Sequence, residues 1–489
     1  METIISRNPA NGNTLREIPC TRIEEIPILV ENARTAQRQW ARLTPKQRQA
    51  VFYNVREYVL DHVDEIAALI SLENGKPQFE AICNDILPAL DLLTAYTKKA
   101  EKLLRDQRIP LKLMKHKKSY LQFWPRGVVA VIAPWNFPFS IPFGEIVLAL
   151  LAGNAVIFKP SEVTTQVGLK IVEIFENAFL PKHLLQAVVG GGQHGAAIIK
   201  AKVDKIFFTG SVQTGKRVMA AASESLTPVV LELGGKDPMI ILPDADLDFA
   251  SSAALWGSFA NSGQVCASTE RIIVADSIHD EFIKLFKEKT ERLLSGGNTG
   301  PGDLGVITYE QQKRIYADQL AELTPENSTI VTGGKFSPDR SRLLPTIVTN
   351  PSGSDSCPIE KTKAYCEETF GPLVVVTKYK TIPEAIIKAN NNKYGLLASV
   401  IGADTTLAEQ VARQIEAGSV LINEVIYTHG VPETPWGGIK ESGFGRVHSD
   451  LGFLEFVNVR HIHLEKWWAK SFKSLWWFPY TKHQTLLFR

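Results

Sequence analysis

Cys266 stands in FANSGQVCASTE, Phe259 to Glu270, between a Gly263-Gln264 turn and a short run of small residues. The apolar segment Arg271 to Ala275 follows at once. A thiol on a tight turn at the mouth of a strand reaches a substrate; one in mid-strand does not. A free cysteine is otherwise a small buried hydrophobe, so nucleophilic chemistry needs supporting groups elsewhere in the chain. LELGGKDP, Leu231 to Pro238, offers Glu232 between apolar residues, just before Gly234 and Gly235. An acid there loses solvent, which lifts its pKa toward the range of a general base; the alternative is a structural ion-pair acid. APWNFPF, Ala133 to Phe139, offers Asn136 in a proline-bracketed segment that regular helix does not suit. A rigid neutral amide beside a thiol can donate to a developing oxyanion; the alternative is a turn asparagine.

The elements that must position these groups alternate. Gly127 to Ala133, Ala155 to Phe158, Leu185 to Val189 and Lys205 to Phe208 are apolar runs of strand length, with a helix over Phe143 to Leu151. Such alternation indicates a parallel sheet covered on both faces. A second alternation follows Gly235, with strands at Met239 to Leu242, Arg271 to Ala275, Leu373 to Val376, Ser399 to Ile401 and Ser419 to Ile422. Helices at Ile382 to Asn390 and Thr406 to Glu416 lie between them. The active site belongs at the junction of the two α/β units, where pockets form. Upstream, a hairpin turns at Asn11-Gly12, and Thr44 caps a helix that opens on Pro45. The basic stretch Arg105 to Tyr120 reads as a solvated arm.

At 489 residues the chain suits two or three domains. A formal charge of +2 gives no electrostatic case for nucleic acid. Five cysteines without short paired spacings argue against a disulfide framework or a zinc ribbon, and no metal-ligand cluster is expected. The first residues show no secretory leader, and no apolar run approaches the roughly 20 residues that span a bilayer. A soluble, cytoplasmic protein is expected.

Val203 to Ser223 reads as strand, glycine turn and helix. Gly210 and Gly215 flank four residues, a departure from the dinucleotide fingerprint, yet Ser211 can cap a helix whose N-terminal amides attract pyrophosphate. In FKPSE, Lys159 and Glu162 are spaced to face one ligand.

Taken together, the chain resembles the aldehyde dehydrogenase superfamily. Nine ordered stretches carry the likeness: NPANG at Asn8, LENGKP at Leu72, PWNFPF, FKPSE, FTGS at Phe208, LELGGK, the cysteine stretch, EETFGP at Glu367 and PWGGIKESGFGR at Pro435. The resemblance implies an α/β fold of two Rossmann-like domains with a β oligomerisation arm. An NAD-binding domain spans 1–106 and 126–234, a catalytic domain 235–450, the arm 107–125 and 451–466, and an aromatic, basic tail 467–489. It also implies catalysis by Cys266, Glu232 and Asn136, with a cysteine thiohemiacetal and thioester. Cofactor contacts fall to Trp135, Lys159, Glu162, Gly210, Ser211, Gly215, Glu368 and Phe370. Lys159 and Glu162 go to the adenosine ribose, Glu368 and Phe370 to the nicotinamide ribose and ring. A carboxylate suits ribose hydroxyls and repels a 2′-phosphate, so NAD is expected over NADP. Retention of Glu232 points to hydrolysis, since relatives that transfer the acyl group need no base for water.

For the substrate tunnel the expected wall is Phe139, Ile141, Phe143, Phe259 and Tyr427, with Gly144 widening it where relatives that prefer small aldehydes carry an aromatic. A medium- or long-chain apolar aldehyde is the first expectation, and a semialdehyde or aromatic aldehyde the alternative. On a helix, Trp468, Phe472, Leu475 and Trp476 share one face, and Lys466, Lys470 and Lys473 the other. Residues 466–478 thus suit either packing on a partner subunit or tunnel mouth, or peripheral membrane contact like that of fatty aldehyde dehydrogenases. A homo-oligomer, dimer or tetramer, is expected; a lipid-surface binding protein is the reading from another class.

Overall fold

A computed structural model describes residues 2–294, 296, 302–351, 358–469 and 477–487. Two open sheets dominate it. The first has six strands in the order Gly443–Phe444, Val229–Glu232, Lys205–Thr209, Val128–Ile132, Ala155–Lys159, Leu185–Ala187, parallel except for the first. The chain starts in its middle, at Val128–Ile132, and winds outward in both directions. That reversal leaves a crevice at the carboxyl ends of the strands, where ligands bind in such sheets.

The second sheet has seven strands in the order Thr329–Thr332, Thr346–Thr349, Leu373–Tyr379, Thr269–Ala275, Asp237–Ile241, Leu397–Ile401, Ser419–Ile422. Its central strands are buried along their length, as continuous apolar runs should be. The two threonine-bounded strands at its edge escaped the sequence reading, because Thr-Ile-Val-Thr lacks a long apolar run.

The helix Ser140–Leu151 is buried at every one of its 12 residues. A helix apolar all round belongs inside, and this one packs beside the first sheet, carrying a single charged side chain, Glu145. At Thr44 a full capping box forms with Gln47, and Pro45 opens the helix Pro45–Asp61 as expected. Gly12 turns the opening hairpin at φ 74°.

Gln107–Ile109, Lys117–Pro125 and Val457–Glu465 form a three-stranded antiparallel sheet. The basic arm is therefore paired backbone and not simply a solvated arm: Ser119 and Phe123 point inward, Lys118 points out, and Lys117 pairs with Glu465 at 3.0 Å. In the tail, residues 470–476 lie outside the described residues, and with them Lys470, Phe472, Lys473, Leu475 and Trp476. Of the expected helical face, Lys466 instead stacks over Trp468, its Nζ 5.9 Å from the ring. Among the described residues no helix is long and apolar enough to cross a membrane.

Candidate active site

The carboxyl ends of four strands of the first sheet deliver six of the expected residues to one place. Val128–Ile132 runs out into Trp135 and Asn136, Ala155–Lys159 into Glu162, Lys205–Thr209 into Gly210 and Ser211, and Val229–Glu232 ends on Glu232 itself. The second sheet contributes from the amino ends of two of its central strands. Cys266 precedes Thr269–Ala275, and Glu368 and Phe370 precede Leu373–Tyr379. Trp135, Asn136, Glu162, Gly210, Ser211, Glu232, Cys266, Glu368 and Phe370 all line one cleft of about 620 Å³.

Cys266 is also part of a second wall. A narrow throat of about 60 Å³, bordered by Phe137, Ile141, Trp256, Ile426, Tyr427 and Trp436, reaches the same residue from the other side. It opens into a vestibule of about 1080 Å³, and the two share Cys83, Asn84, Pro88, Trp256, Ala260, Tyr427 and Gly430. The half-buried thiol therefore sits between a polar cleft and a funnel with a mainly apolar throat and a vestibule that carries Arg56, Glu80, Asp91, Asp303 and Glu424.

Buried polar groups hold this junction rigid. Asn74 Nδ2 donates to the Trp135 carbonyl at 2.9 Å, and Lys76 Nζ and Asn261 Nδ2 donate to the Asn136 carbonyl at 2.8 and 3.1 Å. Lys76 is paired with Asp85 at 2.6 Å, both side chains fully buried, and Asp85 accepts the backbone N–H groups of Phe139 and Ser140. The Asn136 side chain donates to the Gln264 carbonyl at 3.1 Å, two residues before the thiol; an amide nitrogen carries a second hydrogen for a further acceptor. The loop itself is strained: Asn261 and Ser262 hold φ of 49° and 56°, and a Cβ on Gly263 (φ 71°) would stand 2.3 Å from Gly371. Left-handed residues of this kind cluster where geometry matters more than ease of folding.

Electrostatics separate the acids. Burial, reinforced by the nearby Glu145, lifts the Glu232 carboxyl well above its usual range, against the opposing pull of Arg446. The Trp436 indole gives it only a weak contact, and neither Glu232 oxygen has a well-formed hydrogen bond. Glu145 is pushed up to about 8 by burial. Burial pushes the Cys266 thiol up as well, aided by Asp237, Glu368 and Glu232. The resting thiol is therefore protonated, and a base or a cation must arrive before it becomes a strong nucleophile.

The cleft fits a dinucleotide. Ser211 caps Val212–Ser223, accepting from Thr214 N at 3.3 Å, so its first-turn amides open toward the cleft. Gly215 allows the helix to touch Leu233: a Cβ there would stand 2.6 Å from Leu233 Cδ2. Lys159 is buried behind the wall, its Nζ 3.3 Å from Glu162 Oε2, so Glu162 presents its acid from a fixed position. Phe370 packs edge-on to Trp135 at 5.3 Å, and Glu368 accepts from Gly235 N at 3.0 Å.

The Phe370 loop rests on a group that the sequence did not single out. Glu270, paired with Lys236 at 2.6 Å, accepts the N–H groups of Thr369 and Phe370 at 2.8 and 2.7 Å. Lys76, Asp85 and Glu270 were missed because each looks like an ordinary charge until its burial is known. Glu145 and His448 were missed too; only the single acid inside SIPFGEIVLALL hinted at one of them.

The tunnel expectations divide. Ile141 and Tyr427 border the throat, and Phe259 the vestibule. Phe139 and Phe143 do not reach these cavities. Both are fully buried, stacked on each other at 5.0 Å, with Phe175 5.7 Å from Phe143. Gly144 faces Leu92 and His448, a Cβ there standing 3.3 Å from Leu92 Cδ1 and 3.8 Å from His448 Nε2. It makes room for an imidazole and does not widen the tunnel. The error arose from reading an apolar helix as tunnel wall when its whole circumference is buried.

One group of possible metal ligands qualifies the expectation of none. Glu2, Cys20 and His194 bring ligand atoms within 4.8 Å of one another, away from the cleft. His194 Nε2 already faces the Thr21 carbonyl at 2.9 Å and its Nδ1 packs on Gly190.

Comparison with known proteins accords with this geometry. The model of the aldehyde dehydrogenase family matches residues 1–462. The 4,4'-diapolycopene aldehyde oxidase of Methylomonas sp is 38% identical over 93% of this chain and 84% of its own. Aminoaldehyde dehydrogenase 1 of Pisum sativum is 34% identical over 93% and 91%. The crystal structure of a betaine aldehyde dehydrogenase point mutant from Staphylococcus aureus, in complex with NAD+, superposes with a TM-score of 0.90 at 28% identity, covering 98% of this chain and 95% of that one.

Proposed function

Because the chain belongs to the aldehyde dehydrogenase family, and so is an NAD(P)-dependent oxidoreductase, we propose that it oxidises a medium- or long-chain apolar aldehyde to the carboxylic acid with NAD. The observation that carries this reading is that the nucleophile Cys266 borders both the throat and the polar cleft, on a wall it shares with Ile141, His429 and Trp436. A substrate entering through the first meets a cofactor lying in the second at a single sulfur.

In this reading the Cys266 thiol loses its proton to solvent in the cleft, and the thiolate adds to the aldehyde carbon as the carbonyl electron pair moves onto oxygen. The Asn136 side chain and the Cys266 backbone N–H hold that oxyanion; one such donor is worth about 3 kcal/mol of barrier. Bound nicotinamide supplies the hydride acceptor that turns the thiohemiacetal into a thioester. Glu232 then takes a proton from water as the water oxygen bonds to the thioester carbon. The sulfur leaves as thiolate, and the acid is released.

Support for an apolar substrate comes from the throat, where Ile141, Val265, Ile426 and Trp436 stand with no Lys or Arg among the lining residues and burial holds His429 neutral; Arg56 lies farther out, in the vestibule. Its narrow bore suits an unbranched or flat chain. Glu162 supports NAD by repelling a 2′-phosphate, while Arg217, which lines the same cleft, is the feature that favours NADP. The sheet Lys117–Pro125 with Val457–Glu465 exposes Trp124 and Val459, and a second copy of the chain is its natural cover. Comparing kcat/KM for decanal and succinate semialdehyde tests the substrate class: preference for decanal is expected, and clear preference for the semialdehyde ends the reading. Stopped-flow of Glu232→Gln tests the base. A burst of NADH without turnover is expected, and equal loss of both removes Glu232 from that role.

A further inference from the structure

In the wall of the catalytic cleft stands a group of ionisable side chains that the reaction above does not use. Glu145, His429 and His448 line the same cavity as Glu232 and Cys266. Glu145 is the lone charged residue in a helix buried on all sides, and its Oε2 has no hydrogen-bond partner. His448 is 8% exposed, and its Nδ1 likewise has none. The two imidazoles stand 4.8 Å apart, and His429 meets the Trp436 ring at 5.2 Å, the indole that leans on Glu232. His448 is held at φ 60° and ψ 176°, a conformation that normally needs glycine, and Gly144 leaves the room its ring requires. Folding gains nothing from an unpaired acid and a strained histidine at this depth.

We propose that Glu145 receives the proton which Glu232 takes from the hydrolytic water, and that His448 and His429 carry it on toward the open cleft. The inference rests on Glu232 being the base. The proton leaves the water O–H as that oxygen bonds to the thioester carbon, passes to a Glu232 oxygen and then to one oxygen of the protonated Glu145, whose own proton leaves from its other oxygen toward His448. Glu232 is left as carboxylate for the next turnover, and Glu145 releases the proton through neutral imidazoles. Burial keeps both histidines well below their ordinary range, so each ring can accept on one nitrogen and donate from the other. The other charges facing the group are Arg446, which opposes the effect of Glu145 on Glu232, and Asp85, which acts on His429. Glu145 is a positioning residue in this scheme, acting through Glu232 and touching no substrate.

The test runs Glu145→Gln, Glu145→Asp and Glu232→Gln side by side in the full chain with saturating NAD and decanal. Glu145→Gln is expected to keep the NADH burst while steady turnover falls on the order of tenfold, less than loss of a primary base. The acid limb of its kcat profile should also move to lower pH, because Glu232 no longer faces a second carboxylate. Glu145→Asp should recover part of the turnover, and it gives the same readings if the amide variant does not fold. Unchanged turnover with an unmoved limb overturns the proposal, as does loss of burst and turnover together. Glu232→Gln keeps the two readings apart. If it retains the burst and loses turnover while Glu145→Gln behaves as parent, only the relay fails. If it turns over normally, the base itself is elsewhere.

Discussion

The two cavities that meet at Cys266 are built on opposite principles. The cleft is walled by backbone turns and polar groups held through buried pairs such as Lys76–Asp85 and Lys236–Glu270. The funnel is walled by side chains from separate helices and loops, among them Trp256, Tyr427 and Ile141, with few hydrogen bonds to fix them. The first is built for geometry and the second for shape. A change in the cleft should therefore alter the chemistry for every substrate, whereas a change in the funnel should alter the choice among substrates.

The sharpest break in that contrast is at the thiol shared by both. Cys266→Ser should lower kcat/KM roughly a thousandfold or more for every aldehyde, measured by NADH formation, since hydroxyl is a far weaker nucleophile here. Asn136→Ala should cost about 10²–10³ in kcat and spare NAD binding; an effect confined to KM would move Asn136 out of the oxyanion role. Lys76→Met strands Asp85 without its partner and should destabilise the fold by about 3–5 kcal/mol in urea titration. In the funnel, Trp256→Ala should reduce kcat/KM for decanal by about 1–3 kcal/mol of transition-state binding while leaving propanal nearly unchanged. Equal losses for the two aldehydes would erase the distinction between cavities.

The smallest effect concerns pH. Glu145 holds its proton up to about 8 when folded, against an ordinary 4.5 for the free carboxyl. Between those values the folded chain binds a proton that the unfolded chain has released, so this acid lowers stability as pH rises. Its favourable contribution is complete below 4.5 and is lost as pH passes 8. Glu145→Gln has no such proton to lose, so its urea midpoint should fall less than the parent's between pH 5 and pH 9.

The contrast also explains what was legible in the sequence. Cleft residues sit in turns next to apolar strands, and strand, turn and helix signals are local, so Gly210, Ser211, Glu232 and Cys266 were found from spacing and resemblance together. The second sheet was read through its central strands for the same reason. Funnel walls come from residues far apart in the chain, and whether a Phe faces a cavity or a core depends on which side of its helix is covered. Phe139, Phe143 and Gly144 were misplaced on that account. The buried supports Lys76, Asp85, Glu270 and His448 were invisible because their neighbours along the chain do not report their burial; Glu145 alone stood in a long apolar run.

A trapped intermediate puts the central claim to its most direct test. Glu232→Gln, mixed with NAD and decanal and quenched in acid, should show one acyl group per chain by intact mass, mapped by peptide digestion to Cys266. An acyl group on Cys83, which also lines the throat, or none at all while NADH is still formed, contradicts the account.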